Sequence, residues 1–146
     1  MNAWQFSAGL TALGGIAIHI VLPEMTFFRR IPGAPLPEFE LPRWLGFVGG
    51  RSPEQTNKVL WRYLRAGWHF LSVDGVVTGC LLLAASFGAL GSPDAANVFA
   101  LATAIRFAAY GVLWFAVVAA HHTTPFNAPQ WLLMFAVAVQ SWLGAR

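Results

Sequence analysis

The sequence predicts an all-α integral membrane protein, a four-transmembrane-helix bundle with one long cytoplasmic Pro-rich loop between helices 1 and 2. Three observations carry that prediction. Of the 146 residues, 57% are hydrophobic and only 10% are charged, against about 45–50% and about 25% in an ordinary soluble domain. Met1 to Pro23, Gly75 to Pro93 and Phe107 to Ala145 contain no Asp, Glu, Lys or Arg, and about 20 mainly apolar residues suffice to cross a bilayer as a helix. Proline, glycine and capping residues then divide the apolar stretches into four spans. At 15.9 kDa the chain reads as a single membrane domain over residues 1–146, with no length left for a separate soluble domain.

Span 1 covers about 4–22. Pro23 stops it, because proline has no N–H to continue the helical ladder. No Lys or Arg precedes it and no small-x-small cleavage site follows, so it reads as a retained span rather than a secretory leader. Residues 23–52 form a loop, holding Pro32, Pro35, Pro37 and Pro42 with Gly33, Gly46, Gly49 and Gly50.

Ser52-Pro53-Glu54-Gln55 places a capping serine before a proline at the first helical position, with glutamine three residues after the cap. Helix 2 therefore starts outside the membrane, carrying Lys58, Arg62 and Arg65, and spans it over about 66–89. Gly88 and Gly91 offer ways to end it. Ser92-Pro93-Asp94 repeats the capping pattern, with a carboxylate at the positive end of the helix dipole, and span 3 follows over about 95–120. His121 to Pro125 breaks the apolar run, Asn127 can cap, and Pro129 sits just inside a fourth span over about 128–143.

The segment between spans 1 and 2 holds Arg29, Arg30, Arg43, Arg51, Lys58, Arg62 and Arg65, whereas the opposite side has only Arg146. The positive-inside rule puts that segment in the cytoplasm. A bacterial inner (cytoplasmic) membrane with both termini periplasmic follows. Phe27, Phe28, Phe39, Trp44, Leu45 and Phe47 suit part of the loop to the membrane surface. The net charge of +3 does not indicate nucleic acid, because the cations are confined to this flank and interleaved with Glu38, Glu40 and Glu54.

Close helix contacts have two candidate seams, Gly75-x-x-x-Gly79 on span 2 and Ala100, Ala104 and Ala108 on span 3. Small residues let backbones approach where lipid supplies no hydrophobic drive. The lone Cys80 excludes an intrachain disulfide and a thiolate metal cluster, and reads as a packing residue. Most of the seven tryptophans, at 4, 44, 61, 68, 114, 131 and 142, fall near span ends, where indoles form interfacial belts.

Asp74 and Arg106 are the residues most out of place, since an ionised group at the bilayer centre costs at least about 2.5–3.5 kcal/mol. With span 2 entering at Ala66 and span 3 leaving near Ala120, the rise per residue puts them roughly 12 and 20 Å from the cytoplasmic side. Arginine's long stem can close that gap. The pair reads first as an intramembrane ion pair pinning helix 2 to helix 3, and second as a proton or ion pathway or a ligand anchor.

The histidines form the other constellation: His19 near the end of span 1, His69 at the entry of span 2, and His121 with His122 after span 3. All lie toward the cytoplasmic side, as does Glu24. Interfacial solvation is the plain reading. A transition metal on His19, Glu24, His69 and His121, or a haem held by two of the four histidines, is the functional one. No spacing among them matches a metal motif. Arg62 and Arg65, on one helix face with His69, are placed to meet anionic lipid head groups.

There is no P-loop, dinucleotide fingerprint or nucleophile elbow, so an enzymatic role is disfavoured. The leading expectation is an accessory subunit or assembly factor beside larger membrane proteins, such as an energy-transducing complex, with lipids and other membrane subunits as partners. A haem- or metal-binding redox protein and a small transporter using Asp74 and Arg106 are the alternatives.

Overall fold

The computed structural model describes residues 1–23, 53–120 and 130–146. Among these there are four helices and no strand: α1 (Ala3–Pro23), α2 (Pro53–Ser86), α3 (Pro93–Ala120) and α4 (Gln130–Gly144). Three carry segments long and apolar enough to cross a membrane, Ala3–Val21, Arg65–Ser86 and Pro93–Val117. The 15 residues of α4 are apolar but rise only about 22 Å, less than a span requires. The expected loop over 23–52 lies outside the described residues, apart from Pro23 within α1.

The described helix ends have identifiable causes. Asn2 caps α1, its Oδ1 accepting from Trp4 N at 3.1 Å and Gln5 N at 3.2 Å. At the other end of α2, Gly88 N donates to Ala85 O and Ala89 N to Ala84 O, both at 2.9 Å, which is the Schellman pattern. It needs a left-handed residue after the cap, and Gly88 supplies it at φ +78°. Helix 2 therefore stops at Ser86, three residues short of the expected Ala89. Ser92 caps α3 through Oγ, which accepts from Ala95 N at 3.1 Å.

The chain divides into two compact units, Met1–Ile18 with Val73–Arg146, and His19–Ser72. In the first, the interior is made of small side chains from all four helices: Ala8, Ala12, Ala85, Ala96, Ala100, Ala104 and Ala138 are buried beside Leu82, Phe107 and Val137. The glycines show how close the backbones come. A Cβ on Gly9 would lie 2.9 Å from the Gly79 carbonyl oxygen, and one on Gly79 would lie 2.7 Å from Leu13 Cγ. The Gly75-x-x-x-Gly79 seam thus faces α1 of the same chain. Large apolar side chains point outward instead, among them Leu10, Val73, Val77, Val98, Ile105, Leu113 and Val139.

Polar groups follow the reverse pattern, with Gln5, Thr78, Ser86, Thr103 and Ser141 all buried. Gln5 and the half-buried Asn2 satisfy helix ends. Asn2 N donates to Ser86 O at 2.9 Å, while Asn2 Nδ2 and Gln5 Nε2 both donate to Gly144 O, at 2.8 and 3.0 Å. The donor-rich start of α1 therefore meets carbonyls at the ends of α2 and α4, each of which would otherwise lack a partner.

Candidate functional site

Asp74 and Thr78 are four residues apart on α2 and so share a face; Arg106 reaches both from α3. Arg106 Nη1 donates to Asp74 Oδ1 at 3.0 Å, and Nη2 donates to the Thr78 hydroxyl. Thr78 is 2% exposed, so the hydroxyl fixes the guanidinium from the buried side. The ionised side chains of Asp74 and Arg106 are each 36% exposed. Phe107 adds a ring 5.7 Å from the guanidinium carbon.

Depth follows from the turn that joins the two helices. Asp74 lies 12 residues before Ser86 and Arg106 lies 13 residues after Pro93, which puts them about 18 and 20 Å from it. Both are therefore mid-span and level to within about 2 Å. Span limits placed by hydropathy alone separate the two depths by several ångströms more, because hydropathy does not locate the turn. Thr78 was not among the candidate residues; its only sequence signal is the four-residue spacing from Asp74.

His19 is half-buried. Its ring stacks on Trp68 with centroids 3.7 Å apart and planes 8° from parallel. The indole N–H of Trp68 donates to the His19 backbone carbonyl at 3.2 Å, and Ser72 Oγ donates to the Trp68 carbonyl at 3.0 Å. His19 Nε2 is buried with no hydrogen-bond partner among the described residues. No sequence pattern links residues 49 apart, so the sequence alone does not reveal this pairing.

His69, Arg62 and Arg65 are exposed along α2. Glu24, His121 and His122 lie outside the described residues. Among the described residues no three His, Cys, Asp or Glu side chains come together to hold a metal. A groove of about 300 Å³ on α3 and α4, lined in part by Asn97, Val98, Leu101 and Trp142, contains none of the candidate residues.

Comparison with known proteins adds nothing to this geometry. No protein-family model, curated protein or solved structure matches the chain. The reading of the site therefore rests on its own chemistry. That chemistry is anchoring: a guanidinium held at mid-span by a carboxylate and a hydroxyl ties α3 to α2 and leaves part of a charged pair open to whatever surrounds the bundle.

Proposed function

We propose that the chain is a small integral membrane accessory subunit, or an assembly or stabilising factor, of a larger membrane complex. The observation supporting this is the arrangement of apolar side chains. They are exposed on every helix, as at Leu10, Val77, Ile105 and Val139, over an interior of alanines and glycines. Such a surface needs lipid or another membrane protein against it. In this reading α4 belongs to the fourth span. The 23–52 loop is cytoplasmic, both termini are periplasmic, and the membrane is a bacterial inner membrane. Lipid head groups meet Arg62 and Arg65.

The test is purification from native membranes in a mild detergent, followed by mass spectrometry and an absorption spectrum. Companion membrane proteins at fixed stoichiometry are expected; a chain that purifies without any overturns the reading. One observation favours a second reading, a haem- or metal-binding redox protein: His19 Nε2 is buried and has no partner among the described residues. A Soret band or a stoichiometric metal in the same preparation would support it, and a colourless, metal-free sample would exclude it.

A further inference from the structure

The partly open ion pair of Asp74 and Arg106 points to a specific neighbour. We propose that the chain forms a two-fold symmetric homodimer in the membrane, through the face that α2 and α3 share at Asp74 and Arg106, with each Asp74–Arg106 pair seated against the same pair of the second copy.

Each of the two ionised side chains is 36% exposed at mid-span, where an ionised group facing hydrocarbon is strongly disfavoured. A polar cover is required. The pair has capacity for one, since a guanidinium carries five N–H donors and a carboxylate accepts through both oxygens. The contacts within the chain engage Nη1, Nη2 and Oδ1, so the second N–H of each terminal nitrogen and Oδ2 of Asp74 remain for a neighbour. Arg106 Nε is buried and takes no part.

Symmetry then selects the occupant. Two copies inserted with the same orientation are related by an axis along the membrane normal, and such an axis keeps every residue at its own depth. Asp74 of one copy can meet Arg106 of the other only if the two lie at one level within a chain. They do, at about 18 and 20 Å from the turn. Two pairs turned face to face form a closed ring of alternating charges with no net charge, and this face is complementary to itself. A foreign helix would have to supply both a donor and an acceptor at that same depth.

The rim permits the approach. Ala102 and Ala109, four residues before and three after Arg106, are exposed on α3, so a neighbouring backbone can come close there. Val77 and Leu81 are exposed on α2 and supply apolar contact. The Gly75 and Gly79 seam is already occupied by α1, so it is not the dimer face.

The experiment uses the full chain in liposomes at low protein-to-lipid ratio, labelled with donor and acceptor dyes on separate preparations, with association read by energy transfer. The wild-type chain is expected to dimerise. The double variant Asp74→Asn/Arg106→Gln leaves no lone charge and should associate about tenfold more weakly, with its helical circular dichroism unchanged. Val139→Trp, on an exposed face of α4 that carries neither residue of the pair, should associate like the wild type. A monomeric wild type, or a double variant that associates as well as the wild type, would overturn the proposal. Should the double variant lose its helical signal, Ala102→Trp and Ala109→Trp decide instead: each crowds the rim without touching the pair, and undiminished transfer in both rejects this face. The outcome is separate from the accessory-subunit reading, which stands or falls on companions in native membranes.

Discussion

At the scale of single residues, the most informative question is what happens to one charge when the other is removed. Arg106→Leu leaves Asp74 alone at mid-span, where the insertion penalty is at least about 2.5 kcal/mol. The single variant is expected to lower the unfolding midpoint in mixed micelles by an amount corresponding to about 2–3 kcal/mol. Asp74→Asn/Arg106→Gln should lose less than the two single substitutions summed, because no unpaired ion remains. Strict additivity would show that the two are not energetically coupled. These residues stood out in the sequence because every other charge lies outside the apolar runs or at a helix start. Thr78 did not, since a threonine in an apolar helix ordinarily returns its hydroxyl to its own backbone. His19 and Trp68 illustrate the same limit: each looks like an ordinary interfacial residue, and only folding brings the rings to 3.7 Å. Trp68→Ala removes that stack and the bond to the His19 carbonyl. A loss of about 2–4 kcal/mol is expected in the same unfolding assay.

At the scale of elements, α1 offers a matched comparison between two glycines five residues apart. A Cβ on Gly9 would lie 2.9 Å from the Gly79 carbonyl oxygen, whereas one on Gly14 would meet nothing within 4 Å. Backbone cannot yield as a side-chain tip can. Gly9→Ala should therefore separate α1 from α2 and destabilise the fold by about 1–3 kcal/mol, while Gly14→Ala should be neutral or slightly stabilising through helix propensity. Equal effects would mean that the α1–α2 seam is not close-packed at Gly9. The ends of helices make a second case. Asn2→Ala deletes the cap of α1 and the bond to Gly144 O at 2.8 Å, at a cost of about 1–2 kcal/mol. Because Asn2 joins the two elements, amide exchange should rise at the start of α1 and at the end of α4 together. Element positions were legible where a charge-free run met a capping residue, as at Ser92-Pro93-Asp94. The end of α2 was less so: Gly88 and Gly91 both have positive φ, but only the pairing of Gly88 N and Ala89 N with carbonyls one turn back decides where the helix stops. That is a property of the folded backbone.

At the scale of the whole molecule, the distribution of charge makes the orientation testable. Of the 15 charged residues, 11 lie between Glu24 and Arg65, and the Lys and Arg among them set the expected topology. Asp74 and Arg106 cancel each other inside the bilayer and give no bias to either side. The proposed orientation puts residue 52 in the cytoplasm and residue 146 outside, and a cysteine at each position reports it directly. Cys80 is exposed on α2, so the background must carry Cys80→Ser. On that background Ser52→Cys is expected to resist a membrane-impermeant maleimide in intact cells and to react once the membrane is opened. Arg146→Cys should react in intact cells. The inverse pattern would place the arginine-rich flank outside and overturn the orientation. Labelling of both in intact cells would put residues 52 and 146 on the same side, which is incompatible with three crossings between them. Because Asp74→Asn/Arg106→Gln removes one charge of each sign, the double variant should label like the background at both positions. A changed pattern there would mean that the intramembrane pair, and not only the flanking cations, directs insertion.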